Sequence, residues 1–144
     1  MADKNDLEKQ RAIFAFERVK EYRDNNDDEK QKKLKGYIRN TPTKILTNGL
    51  ASTLAFMFSK QNKSYGDVYI YIAENIIFDW LIKEQNQHLI NLEKNPDSKI
   101  EELIKKVINQ SSQEYRAVTN EVLALFNWLK RFADGMIEGE DNGD

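Results

Sequence analysis

The side chains here with the chemistry to act are cations and acids, and their spacing is uneven. Lys30, Lys32, Lys33, Lys35, Arg39, Lys44, Lys60 and Lys63 follow one another with no aspartate or glutamate between them. Yet the chain carries 24 acids against 22 lysines and arginines, for a net charge of −2. The flanks compensate, because residues 66–102 are mainly acidic and every charge after Arg131 is negative. Such a run is either a locally biased solvated face or a basic patch for a polyanion. A second cationic group lies late in the chain. On a helical wheel Arg116, Asn120, Asn127 and Arg131 fall within roughly 60° of one another, with Ala124 beside them. Arginine and asparagine both donate to phosphate and sugar oxygens, arginine bidentately. A plain solvated face is the competing reading.

No catalytic constellation can be assembled from the rest. His88 is the only histidine, sits in a glutamine-rich polar stretch and is expected to be exposed. Without cysteine there is no disulfide, thiol nucleophile or thiolate metal site. Neither HExxH nor HxH spacing occurs, and the glycines are too scattered for a phosphate loop. Glu74 and Asp79 stand among apolar residues and are expected at the polar edge of a helix rather than as general acids. Trp80, Trp128 and Tyr115 continue apolar faces, so they read as core or interface residues. The expectation is binding without catalysis, with no cofactor and no metal.

These residues must be positioned by helices. In 144 residues there are only two prolines and six glycines, little punctuation for a sandwich or barrel. Hydrophobic residues at 40% and charged residues at 32% suit one domain with a real core and a charged surface. The start MADKNDLEKQ carries no signal-peptide pattern, and no apolar run approaches the roughly 20 residues of a membrane span. A cytoplasmic, soluble protein with no membrane partner is expected.

Periodicity predicts an all-α, compact single-domain bundle of about six helices. The helical domain covers residues 1–135, and residues 136–144 form a flexible acidic tail without a packing face. A first helix is expected over about Asp6–Tyr22, burying Leu7, Phe14 and Val19, before a polar break at Arg23–Glu29. A basic segment continues helically towards Asn40. Thr41-Pro42 then reads as an N-cap and first-turn pair, opening a helix that closes near Lys60. VYIYIAENIIFDWLIK is too long an apolar run for a strand and is expected as a buried helix. Ser98 to Glu101 and Ser111 to Glu114 are capping boxes that open two more helices. The first carries Ile100, Leu103, Ile104, Val107 and Ile108. The second carries Tyr115, Val118, Val122, Leu125, Leu129 and Phe132, and ends at Asp134-Gly135.

Within KILTNGLASTLAFMFSK, Asn48-Gly49 is a strong hairpin signal, but LASTLAFMF does not alternate. A continuous helix puts Ile45, Leu46, Leu50, Leu54, Phe56 and Met57 on one apolar arc that contains Gly49. Asn48 falls on an opposite strip of small polar residues, which seats either another helix or subunit, or a phosphate backbone beside Lys44. An interior glycine costs about 0.8–1.0 kcal/mol relative to alanine. Close approach of a neighbouring helix backbone is the simplest compensation.

Three stretches together resemble the small helical subunit of the Cmr complex, the type III-B CRISPR RNA-guided effector. They are GYIRNTPTKILTNGLASTLAFMFSK at 36–60, the Tyr115-Arg116 pair, and EVLALFNWLKRFADG at 121–135. The shared wording is Asn48-Gly49-Leu50, Thr53-Leu54-Ala55-Phe56 and Asn127-Trp128-Leu129-Lys130-Arg131-Phe132. With length and helix order the resemblance covers essentially the whole chain, while 61–112 matches in pattern more than in wording. It implies a non-catalytic subunit of an antiviral defence complex, partnered by other Cmr subunits and by further copies of itself. Family members help hold the guide and target RNA, while cleavage belongs to another subunit. The likeness reaches Asn48, Gly49, Arg116, Lys130 and Arg131. Lys32, Lys33, Lys35, Arg39, Lys44, Lys60 and Lys63 are RNA-binding candidates on charge alone. Asn120 and Asn127 join them from the polar strip. The alternative is a structural spacer that contacts only protein.

Overall fold

Helix caps set the element boundaries. The computed structural model describes residues 4–139, and no strand occurs among them. Helix α1 spans Lys4–Asn25 and α2 spans Asp28–Asn48, so the polar break is only Asn26 and Asp27. The Asp27 carboxylate accepts from the Lys30 amide at 2.9 Å, capping α2. Helix α3 is Leu50–Ser59. A continuous helical rod follows: α4 at Gly66–Ile70, a π-helical segment at Tyr71–Phe78, and α5 at Asp79–Leu81. After a 3₁₀ turn at Glu84–Asn86 come α6, Lys99–Ile108, and α7, Ser112–Met136. Ser98 caps α6, and Ser111 and Glu114 close a reciprocal capping box on α7.

The rod is buried as expected, with Ile72, Ile76, Phe78 and Trp80 all inside. Its two acids serve the fold. Glu74 accepts from the Ile100 amide at 3.1 Å in the first turn of α6, and Asp79 binds Lys99 at 2.9 Å and Arg18 at 3.3 Å. Helix α7 lies against α1 and α2, and α3 packs on α2 and α6. Glu121 of α7 is buried and is held by Arg11 of α1 through two bonds of 2.8 Å, and by the Trp80 indole N–H at 2.9 Å.

The structure corrects the sequence reading in four places. Pro42 does not open a helix, because α2 runs through it. Proline removes only one donor there, and the Thr41 hydroxyl donates to the Tyr37 carbonyl at 2.6 Å in the turn before. The break falls at Gly49, whose φ of 90° and ψ of 157° belong to a region open essentially to glycine alone. Wheel phase is therefore lost at residue 49, and Leu46, expected on the apolar arc, is 75% exposed. In α6 Ile108 is likewise exposed: the buried face runs through Ile100, Leu103 and Val107, and Ile108, the last residue of the helix, falls off it.

The fourth correction concerns the tail. Helix α7 passes Gly135 to reach Met136, and Ile137 is 2% exposed. Residues 136–139 thus pack on the domain, for a reason visible below at Lys35. The remainder of the expected acidic tail, 140–144, lies outside the described residues.

Candidate nucleic-acid interface

The acid-free run on α2 and α3 does not form one patch. Lys35 is 6% exposed, and its ammonium donates to the carbonyls of Ile137 at 3.0 Å and Gly139 at 2.9 Å. It is an anchor for the chain's C-terminal segment, which removes it from any RNA contact. Lys32 lies alongside, its stem against Gly139, where an added Cβ would meet Cε at 2.7 Å. Lys33 lies 5.3 Å over the Tyr65 ring. Arg39 faces Asp134 of α7 at 3.8 Å, and Lys30 faces Asp67 at 2.8 Å.

Lys44, Lys60 and Lys63 differ from these. They line an open cleft of about 600 Å³ where the C-terminal half of α2, the end of α3, the following loop and α4 converge. Among the described residues none of the three meets a carboxylate. Aromatic rings hold two of them instead. The Lys44 ammonium lies 3.8 Å from the Phe56 centroid and 5.9 Å from that of Tyr69, and Lys60 lies 5.2 Å over Phe56. Tyr37 stacks on Tyr69 at 3.9 Å, and Phe56 meets Tyr69 at 88°, forming an aromatic corner. Burial, then the neighbouring charge of Lys60, lowers the Lys44 pKa. Cation–π contact is worth about 0.5–2 kcal/mol and leaves the net charge of the ammonium intact. The cleft is therefore a cationic site whose charge no described residue neutralises, whereas Lys99 and Lys106 have carboxylates at 2.9 Å. An anion fits it.

The polar strip of α7 is present and solvent-facing. Arg116, Asn120, Asn127 and Arg131 are exposed and Lys130 is half-buried, with Arg131 5.9 Å from the Trp128 ring. Asn48 is exposed at the end of α2. It neighbours Gly49, whose missing Cβ admits the Tyr115 hydroxyl; an added Cβ would meet that oxygen at 2.8 Å. The hydroxyl accepts from the Ala51 amide at 3.0 Å, satisfying one donor at the start of α3. Asn-Gly-Leu and Tyr115-Arg116, far apart in sequence, are thus two halves of one joint.

The sequence reading missed the aromatic wall of the cleft. Phe56 was expected in the core, and Tyr37 and Tyr69 gave no signal, because their convergence from α2, α3 and α4 is tertiary. Elsewhere His88 is exposed, and among the described residues no group of three or more His, Asp or Glu could hold a metal ion. No helix of the described residues is long and apolar enough to cross a membrane. The family model described as CRISPR-associated protein (Cas_Cmr5) matches residues 7–136, from the second turn of α1 to the last residue of α7. The chain belongs to this family, the small subunit of the Cmr effector complex of type III-B CRISPR-Cas systems.

Proposed function

We propose that this Cmr subunit is non-catalytic and helps hold guide and target RNA by sequence-independent contacts to the backbone, stacking in several copies along the complex. The observation that carries the reading is the cleft of Lys44, Lys60 and Lys63, three cations that meet no carboxylate among the described residues, in a chain that is acidic overall. Phosphates supply the missing charge, and lysine and arginine contacts to them carry no base preference. Arg116, Asn120, Asn127, Lys130 and Arg131 on α7, with Asn48, form a second strip of donors for the same backbone.

The test is RNA capture by the reconstituted complex. Joint substitution Lys44→Glu, Lys60→Glu and Lys63→Glu is expected to weaken target RNA binding at least tenfold without loss of assembly. Arg116→Glu with Arg131→Glu tests the strip separately. A correctly assembled complex carrying all five changes and binding RNA as tightly as the unaltered one would make the subunit a protein spacer.

A further inference from the structure

The cleft has more than charge. A duplex backbone needs only an exposed row of cations, whereas this site is concave, about 600 Å³, and walled by Tyr37, Phe56 and Tyr69. Its lining joins the rings of Tyr37, Phe56 and Tyr69 to the cations Lys44, Lys60 and Lys63, a pairing that matches a nucleotide: a flat ring system joined to a phosphate. We propose that the cleft receives one unpaired ribonucleotide of the bound RNA, with the phosphate at Lys44, Lys60 and Lys63 and the base against Phe56 and Tyr69. This rests on the RNA-holding role proposed above and assigns this part of the surface to a single-stranded element.

The geometry also gives an order of events. In the free chain the Lys44 ammonium covers the Phe56 ring at 3.8 Å. A phosphate arriving in the cleft competes with that ring for the ammonium, and a charge-assisted hydrogen bond is the stronger attraction. Lysine is a long, flexible side chain, so its head swings to the phosphate while its stem stays in place. The Phe56 face is then uncovered when the attached base reaches it. Base–aromatic contact of this kind is tolerant of sequence, since every base has a π-face.

Photo-crosslinking in the assembled complex tests this. Target and guide RNAs carrying 4-thiouridine at successive positions are irradiated, and crosslinked peptides of this subunit are mapped by mass spectrometry. The expected result is base crosslinks to Phe56 or Tyr69, reduced about fivefold or more by Lys44→Met. Crosslinks confined to α7 or other surfaces of the subunit overturn the nucleotide pocket and leave backbone binding standing. No crosslink anywhere on the subunit also overturns the pocket, and RNA capture by the complex carrying the five charge reversals then decides backbone binding. If Lys44→Met and Phe56→Leu chains keep their helical circular dichroism but no longer join the complex, the cleft seats a protein segment and the proposal fails. The same variants in a competition assay give a second readout. Phe56→Leu is expected to weaken single-stranded RNA about fivefold while leaving duplex of equal length unchanged, and equal loss on both overturns the pocket.

Discussion

Gly49 and Tyr115 form a unit in which each residue accounts for the other. The glycine supplies φ 90° and an empty Cβ position, and the tyrosine fills that position with a hydroxyl that the Ala51 amide requires. Gly49→Ala is therefore expected to cost about 1–3 kcal/mol from backbone strain, with an added clash against the hydroxyl. Tyr115→Phe removes one partner of a hydrogen bond and should cost about 0.5–1.5 kcal/mol. In the double variant the clash is gone while the strain and the lost hydrogen bond remain, so the two single losses should sum to more than the combined loss. Urea denaturation of the four proteins measures the coupling. Strict additivity would show that the hydroxyl and the glycine do not share this space.

The elements meet on one carboxylate. Glu121 joins α7 to α1 through Arg11 and to the rod through Trp80, in a site where the Arg11 side chain is only 13% exposed. Glu121→Ala leaves the indole N–H and two guanidinium donors without their acceptor, Arg11 keeping only its pairing with the more exposed Glu8, and should destabilise the fold by about 1–3 kcal/mol. Replacing Arg11 as well, with Arg11→Met, should recover part of that loss, because the buried guanidinium donors that Glu121 had satisfied disappear with it; thermal unfolding of the two variants decides it. The sequence does not announce this junction, for Glu121 reads as one more charge on a helix, whereas its burial depends on three elements meeting. What was legible followed local rules. Ser111 and Glu114 predicted the start of α7, and the three- and four-residue steps from Val118 to Leu129 predicted its buried face. What was not legible was how local signals compete: Pro42 lost to a continuing α2, and Gly49 became a break through contact with a side chain 66 residues away. The candidate site divided in the same way. Its cations stood out as a run without acids, but their partners, whether carbonyls, carboxylates or rings, are set by packing.

Across the whole molecule the same residue type does opposite jobs, and Lys35 and Lys44 separate them. They lie nine positions apart on α2, both in the acid-free run. Lys35 is buried and spends its charge on the carbonyls of Ile137 and Gly139, pinning the C-terminal segment to the domain. Lys44 is half-buried against aromatic rings, beside a second ammonium and, among the described residues, without a carboxylate. Lys35→Met leaves two carbonyls without their donor and should cost about 1–3 kcal/mol of stability. It should leave the salt dependence of RNA capture by the assembled complex unchanged, because no phosphate contact is lost. Lys44→Met keeps the hydrocarbon stem and removes a cation that repels Lys60, so the fold should tolerate it. If Lys44 meets a phosphate, the slope of log affinity against log salt should fall by about 0.7–0.9, the share of one neutralised phosphate. Capture measured over a salt series, with thermal unfolding of each free chain, yields both numbers for both variants. A slope altered by Lys35→Met, or unaltered by Lys44→Met, would reverse the assignment of anchor and ligand contact.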